Sequence, residues 1–555
     1  MKKNVLALSI AAMIGGFAGA ASAEVIVGGQ TAVNKAGMVT SGATTFDQAE
    51  GGSGHILLVP YFSSQNNNMS VIHVVNTDTA GKALKVRFRG AANSDDILDF
   101  TVFLSPGDVW TGAVQANAQG SYFRTGDGSC TLPDIRNQDI QFVTDRLSTG
   151  WTAEKIASNT KEGYVEILNV ADIPADKVYG DKSDANSELY KTIKHVSGKA
   201  PCDAAVLEKT LTLSGEANLA AYGFNTPSGK LTGDWYILNV DQTTTFSGAA
   251  TAIRAQGGNG RGNYVLFPQD QGAISNADGL TADPLLISRP ADSKGTIVGG
   301  PLVDPVNYDF PDLSTPYLGG NGAPDAAGIT AAKQAFDLTK AVARGAASNQ
   351  YATDSILKAK TDWVFSMPTR RYSVGANYAA KSADSNYRVF NLGVNSAGTV
   401  TGGVAQNTLA VDAKSTVGTA ANFFNGNNTT VDADGNICVS SRSTAFYDRE
   451  ETVQTSGAVI SPGKVSKVAF CGEVSVLSFK DSGSSVLGAS VARSNVDSGV
   501  YENGWGNINV TTSGANVVGT VPLMGASFIK LTNSGGLANG FSGTYGITWP
   551  HRFGN

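Results

Sequence analysis

The stretch Gly54–Trp110, GHILLVPYFSSQNNNMSVIHVVNTDTAGKALKVRFRGAANSDDILDFTVFLSPGDVW, sets the narrowest limits on what this chain can fold into. Ile56–Phe62 is an almost wholly apolar run. Ser70–Val75 follows, and Asn76-Thr77-Asp78 reads as a turn. Leu84, Val86 and Phe88 then alternate with Lys85, Arg87 and Arg89. A strand sends successive side chains to opposite faces, so this pattern predicts a half-buried strand with its basic face in water. Asp99–Leu104 is a further strand, ended by Ser105-Pro106-Gly107-Asp108. Short strands with turns at this spacing predict an antiparallel β-sandwich.

The remaining chain extends that pattern. Strands are expected at Glu162–Asp172, Gly233–Val240, Thr361–Ser373, Tyr387–Val394, Asn436–Ser441, Lys464–Cys471, Glu473–Phe479, Ser527–Thr532 and Thr544–Trp549. Ile173–Pro201 carries charges of both signs and reads as a surface excursion, with a short helix over Ser187–His195. Asp292–Pro324 is dense in proline and glycine, an ordered connection. The strong helical pattern is Ile329–Arg344, where Ile329, Ala332, Phe336 and Ala343 face one way and Lys333, Asp337 and Lys340 the other. A further helical turn is read over Ser355–Lys360. The expected architecture is mainly β and multi-domain: antiparallel, Ig-like β-sandwich domains with a short helical insertion near 329–360. Residues 24–53 form an extended N-terminal segment and 54–290 the first sandwich. Residues 291–360 are the connection with its helix, and 361–555 a second β domain.

Residues 1–23 read as a secretory signal peptide: basic Lys2 and Lys3, an apolar core, and Ala21-Ser22-Ala23 as the cleavage site. Export places the four cysteines, Cys130, Cys202, Cys438 and Cys471, where disulfides form. Four cysteines allow three pairings; Cys130–Cys202 with Cys438–Cys471 is favoured because each domain then staples itself. The formal net charge is −6, charged residues make up 16%, and glycine is abundant. Such a surface offers no basic patch for nucleic acid, and its neutral faces favour self-association.

No catalytic pattern is complete. The segments Gly540–Thr544 and Gly488–Ala492 both lack the last glycine of a nucleophile elbow. His55, His73, His195 and His551 are scattered, with no metal-binding pair at short spacing. Gly257–Gly262 precedes a strand rather than opening a helix, so it reads as a hairpin loop and not a phosphate cradle. Asp432, Asp434 and Asn436, around Gly435, are the best metal candidate, since a tight loop can aim their oxygens at a hard cation such as Ca²⁺. Ser443 stands where an EF-hand has its acidic residue, and such turns also occur without metal. Asn93–Asp96 and Asp181–Asp184 are weaker versions of that pattern. Asp95, Asp96, Glu162 and Glu166 read as surface or turn residues.

The block His55–Val114, together with GDGSCTLP at Gly126–Pro133, resembles a family of exported cell-surface proteins of betaproteobacteria. EGYVEIL at Glu162–Leu168, the turn Pro201-Cys202, FPDLSTPY at Phe310–Tyr317 and TDWVFSMPTRR at Thr361–Arg371 extend the likeness. It covers about two-thirds of the chain. Some members are surface-layer proteins that tile the outer membrane as a two-dimensional crystal. The resemblance implies a structural subunit whose partners are itself and the outer membrane surface or its lipopolysaccharide. It supplies no catalytic residues. The alternative is a surface adhesin or carbohydrate-binding protein.

Overall fold

The computed structural model describes residues 26–28, 39–49, 51–144, 147, 150–175, 187–213, 215–266, 331–372, 374–377, 388–391, 423–424, 428–432, 434–450, 467–480, 485–498, 501–511, 519–533 and 543–554. The signal-peptide reading and the Pro/Gly-rich connection lie outside them. Among the described residues no helix is long and apolar enough to cross a membrane.

The fold is mainly β, in several antiparallel sheets with few helices. The first half is a sandwich. Its seven-stranded sheet runs in the order Thr45–Gln48, Thr251–Gln256, Ile56–Ser63, Glu162–Ile173, Gly81–Gly90, Asp96–Leu104, Cys130–Leu132. Its six-stranded sheet runs Ile140–Gln141, Gly120–Arg124, Val109–Asn117, Met69–Asn76, Leu231–Asn239, Thr244–Ala249. Leu57, Val86, Phe88 and Ile167 from one sheet meet Ile72, Trp110, Phe123 and Trp235 from the other. Pro60 has no N–H to donate, and it sits where the pairing with Glu162–Ile173 shifts register between Gly163 and Val165.

The seven-stranded sheet is buried on both faces. Helices Glu188–Ile193, Ala204–Lys209, Gly215–Tyr222 and Ala331–Val342 contribute Leu189, Ile193, Leu207, Leu219, Leu338 and Val342 to a second apolar cluster against Ile56, Leu58, Leu168 and Val170. This corrects the surface-excursion reading after Ile173, since Leu189 and Ile193 are fully buried. The helical insertion is present at Ala331–Val342, but Asp337 is buried, not solvent-facing. The turn after Ala352 leads into the strand Lys360–Ser366 rather than a helix. The glycine loop is not a hairpin either. Its flanking strands Thr251–Gln256 and Tyr264–Leu266 pair with Thr45–Gln48 and Ile26–Gly28 respectively, not with each other.

The second half has a five-stranded sheet in the order Arg493–Val496, Val474–Phe479, Lys360–Ser366, Met524–Asn533, Gly543–Pro550. Within this sheet Val474–Phe479 and Arg493–Val496 run parallel, and the other neighbours run antiparallel. A four-stranded sheet runs Ser443–Asp448, Asn503–Asn509, Ala346–Ala352, Arg552–Gly554, and a three-stranded one Thr429–Val431, Ile437–Ser440, Ala469–Cys471. Trp363, Phe365, Leu477 and Phe479 of the five-stranded sheet pack against Tyr351, Phe446 and Ile508 of the four-stranded one. Its opposite face carries Val364, Val476, Ala526 and Phe528 into the core of the first sandwich. Phe528 lies 6.4 Å from Tyr61, 5.9 Å from Trp235 and 5.4 Å from Phe246, ring centre to ring centre. The two halves thus share one apolar core.

Candidate functional site

The expectation of a half-buried strand at Leu84–Arg89 is overturned. Every residue of Gly81–Gly90 is buried, including Lys85, Arg87 and Arg89. Glu162, Glu166 and Asp95, read as surface residues, are buried too. The cause is charge compensation, within each half and, at Glu166–Arg371, across the seam between them. A buried ion costs several kcal/mol unless a partner stands beside it. Lys85 Nζ is 2.6 Å from Asp99 Oδ1. Glu166 takes Arg371 of the second half at 2.9 Å and stands 3.6 Å from Arg89. Arg370 meets Glu473 at 2.8 Å and donates to the carbonyls of Ile437 and Gly472. Burial pushes the Glu473 carboxyl up and the two neighbouring guanidiniums pull it back. Burial likewise lowers the Lys85 ammonium, with Asp99 opposing.

Hydrogen bonds extend this seam. Glu162 accepts from Tyr61 Oη at 2.8 Å and from the N–H groups of Ser490 and Val491 at 2.9 and 2.7 Å. The Val474 N–H donates to Ala91 O and the Glu473 N–H to Ala92 O, each at 3.0 Å. Gly472 must be glycine here: its φ is +85°, and a Cβ would stand 2.6 Å from Ala91 O.

The predicted metal triplet lies on the same seam. Asp432 Oδ1 accepts the N–H groups of Asp434 and Asn436, both at 2.9 Å, and Oδ2 accepts the Asn436 side-chain amide at 2.9 Å. Asp434 points to Lys155 of the first half, 3.0 Å away, and Lys155 also lies over the Trp151 ring. Asn93 clasps the loop by donating to Gly435 O and accepting from the Ile437 N–H. The three residues therefore share one loop, closed on itself and docked to the other half. They line a cavity of about 380 Å³ together with Lys467, Arg493 and Asp497. Cys438 and Cys471 lie beside Asp432, but their sulfurs are bonded to each other and offer no thiolate. Asn93–Asp96 forms the clasping turn, and Asp181–Asp184 lies outside the described residues.

Both disulfides carry the favoured pairing, Cys130–Cys202 and Cys438–Cys471, which fits an oxidising compartment. The first ties the edge strand Cys130–Leu132 to the segment after helix Glu188–Ile193. The second bridges directly paired residues of two strands.

One large surface stands out by its chemistry. In the four-stranded sheet, Tyr351, Phe446, Gly506 and Ile508 point inward. Period-two alternation turns Ser443, Tyr447, Trp505, Asn507, Asn509 and Ser348 outward. Asn507 donates to Ser348 at 2.7 Å. This outer face of the three paired strands has no carboxylate, lysine or arginine until its borders, at Arg442, Asp448, Arg449 and Arg552. Local sequence patterns show neither this face nor the seam. Asp481–Asn516 reads as loop-rich from its composition, whereas Asn503–Asn509 is a strand whose place in the sheet comes from pairing with remote segments. No family model, curated protein or solved structure matches this chain.

Proposed function

We propose that this chain is an exported structural subunit of a surface layer, self-assembling into a two-dimensional array on the outer cell surface. The observation that carries this is the uncharged outer face of the three paired strands Ser443–Asp448, Asn503–Asn509 and Ala346–Ala352, presented by a body whose halves are locked together. The centres of protein interfaces are depleted of charge and enriched in Tyr and Trp, as this face is at Tyr447 and Trp505. A lattice also needs subunits that keep one shape, because contacts that repeat must close or propagate at fixed angles. The seam ion pairs and shared core supply that rigidity. The array's outer partner in this reading is the outer membrane surface or its lipopolysaccharide.

Negative-stain imaging of the purified protein tests it. Ordered sheets or tubes are the expected result. Asn507→Lys with Ser348→Glu, which places charges on the face, should disperse them without unfolding the subunit. Single particles under all conditions would sink the proposal. Repeating the imaging in calcium and in chelator tests the Asp432 loop, since loss of sheets in chelator would add a metal-bridged contact. A second reading, a glycan-binding adhesin, is favoured by one feature of the second half.

A further inference from the structure

Beside the uncharged face, the second half opens a groove of about 740 Å³. One wall comes from Asn503–Asn509 and Ala346–Ala352, the other from Met524–Asn533 and Gly543–Pro550, and the turn carrying Leu357 closes one end. Two tryptophans line it and remain exposed, Trp505 at 40% and Trp549 at 45%. Both sit on strands rather than loops. Trp505 is stacked on Tyr447, ring centres 4.3 Å apart and planes at 9°, which fixes its orientation before any ligand arrives. The end turn is equally set: Asp354 Oδ1 accepts the N–H groups of Ile356 and Leu357 at 2.8 and 3.0 Å.

We infer that this groove binds a neutral glycan chain. The size falls in the range of about 300–1,000 Å³ usual for small-ligand sites, with the usual mixture of apolar walls and a few polar groups. A pyranose ring has an apolar C–H face and a rim of hydroxyls. The C–H face suits a flat aromatic ring, whose π surface is electron-rich. The hydroxyls suit planar polar groups that both give and take hydrogen bonds. At the groove's edge the Gln350 and Asn503 amides can do both, Asp448 accepts and Arg449 donates, and the Gln350 amide has no partner among the described residues. Charge selects against anionic sugars. Asp354 and Asp448 outnumber Arg449 in the lining, so a uronate or phosphate would meet a net negative wall. Prefixed rings lose little freedom on binding, which favours affinity from a small contact area.

Trp505 belongs to both the array face and this groove, whereas Trp549 belongs to the groove alone, so the Trp549 variant separates glycan binding from assembly, and the two are read by separate measurements. The full-length protein is titrated with maltohexaose, laminarihexaose and mannohexaose, followed by tryptophan fluorescence and calorimetry, with oligogalacturonate as the anionic comparison. We expect at least one neutral oligosaccharide to bind with a Kd of about 10 μM to 1 mM. Oligogalacturonate should not bind. Trp505→Ala and Trp549→Ala should each weaken binding by about tenfold or more, and Trp505→Phe should recover part of the loss. Circular dichroism on each variant confirms that the strands remain. Absence of binding by all three neutral oligosaccharides at about 10 mM overturns the inference, as does equal binding by the tryptophan variants. Either result leaves the imaging of sheets as an independent test of assembly.

Discussion

The two faces of the five-stranded sheet are built from alternate residues of the same strands, yet they have opposite fates. Val364, Val476, Ala526 and Phe528 point into the first half and are sealed in its core. Trp363, Phe365 and Leu477 point to the four-stranded sheet, and further along that same face Ile529, Leu531, Ile547 and Trp549 line the open groove. One face makes the molecule rigid, and the other ends in a surface prepared for something outside it. Period two places a side chain on a face without saying what covers that face. Substitutions on the sealed side, in the middle and on the open side probe that contrast in turn.

The sealed side should be the most sensitive. Glu166→Leu leaves Arg371 and Arg89 buried without their carboxylate and should cost about 3–5 kcal/mol in chemical denaturation. Phe528→Ala removes the ring that touches Tyr61, Trp235 and Phe246 and should cost about the same, 3–5 kcal/mol. If both substitutions act on one seam, denaturation should stay cooperative in the wild type and split into two transitions in each variant. A Glu166→Leu cost below about 1 kcal/mol would mean that the ionic part of the seam contributes no locking.

How much of this was legible follows the same division. Strand existence was readable from Ile56–Phe62, Glu162–Asp172 and Glu473–Phe479, because local alternation and apolar runs are properties of a few neighbouring residues. The disulfide pairing was readable for a similar reason, since each bridge stays within its own half. The burial of Lys85, Arg87 and Arg89 was not. Asp99 compensates Lys85, and Glu166 compensates Arg89 while also holding Arg371, and no local pattern links position 89 to position 371. Alternation of apolar and basic residues normally means one wet face, and here a second layer covers it. The Asp432 loop was recognised as a tight acidic turn, which it is, but its docking partners Asn93 and Lys155 are equally remote in sequence. The groove needs the register of four strands, which no local pattern carries.

Between the two extremes lies His551, held inside the second half. Its ring stacks on Phe365 at 4.2 Å, its Nε2–H donates to Val364 O at 3.0 Å, and Nδ1 accepts from the Asn349 amide at 2.8 Å. That arrangement holds the neutral ring. Burial lowers its pKa to about 3, against a small opposing effect of the Val364 carbonyl. The sign follows directly. As pH falls below about 6.5 the unfolded histidine takes up a proton and the folded one does not, so stability falls by about 1.4 kcal/mol per pH unit until the folded pKa is reached. Buried Glu162, Glu473 and Asp362 have carboxyls raised by burial, and they work the other way. The wild-type curve is therefore a sum, and the difference between wild type and His551→Gln isolates the histidine. That difference should narrow steadily between pH 6.5 and pH 4. A difference independent of pH would show that the ring is wet, and that the groove's openness reaches further into the second half than its packing implies.

The open side should respond least. Trp549 is 45% exposed, so nearly half of its surface is already in water in the folded protein. Its backbone stays tied, with Ser527 opposite it in the pairing and its carbonyl accepting from the Asn349 amide at 2.7 Å. Trp549→Ala should therefore lower the free energy of unfolding by only about 1–2 kcal/mol, the share of a tryptophan's burial that is left. Set against the several kcal/mol expected for Phe528→Ala on the other face of the adjoining strand, the ratio measures how differently two neighbouring strands of one sheet are used. A large loss would mean that the tryptophan is packed for stability and that the groove is an accident of core packing. A small loss would leave an exposed aromatic, held on a strand beside Trp505 and little needed by the fold, which is what the binding role of the groove requires.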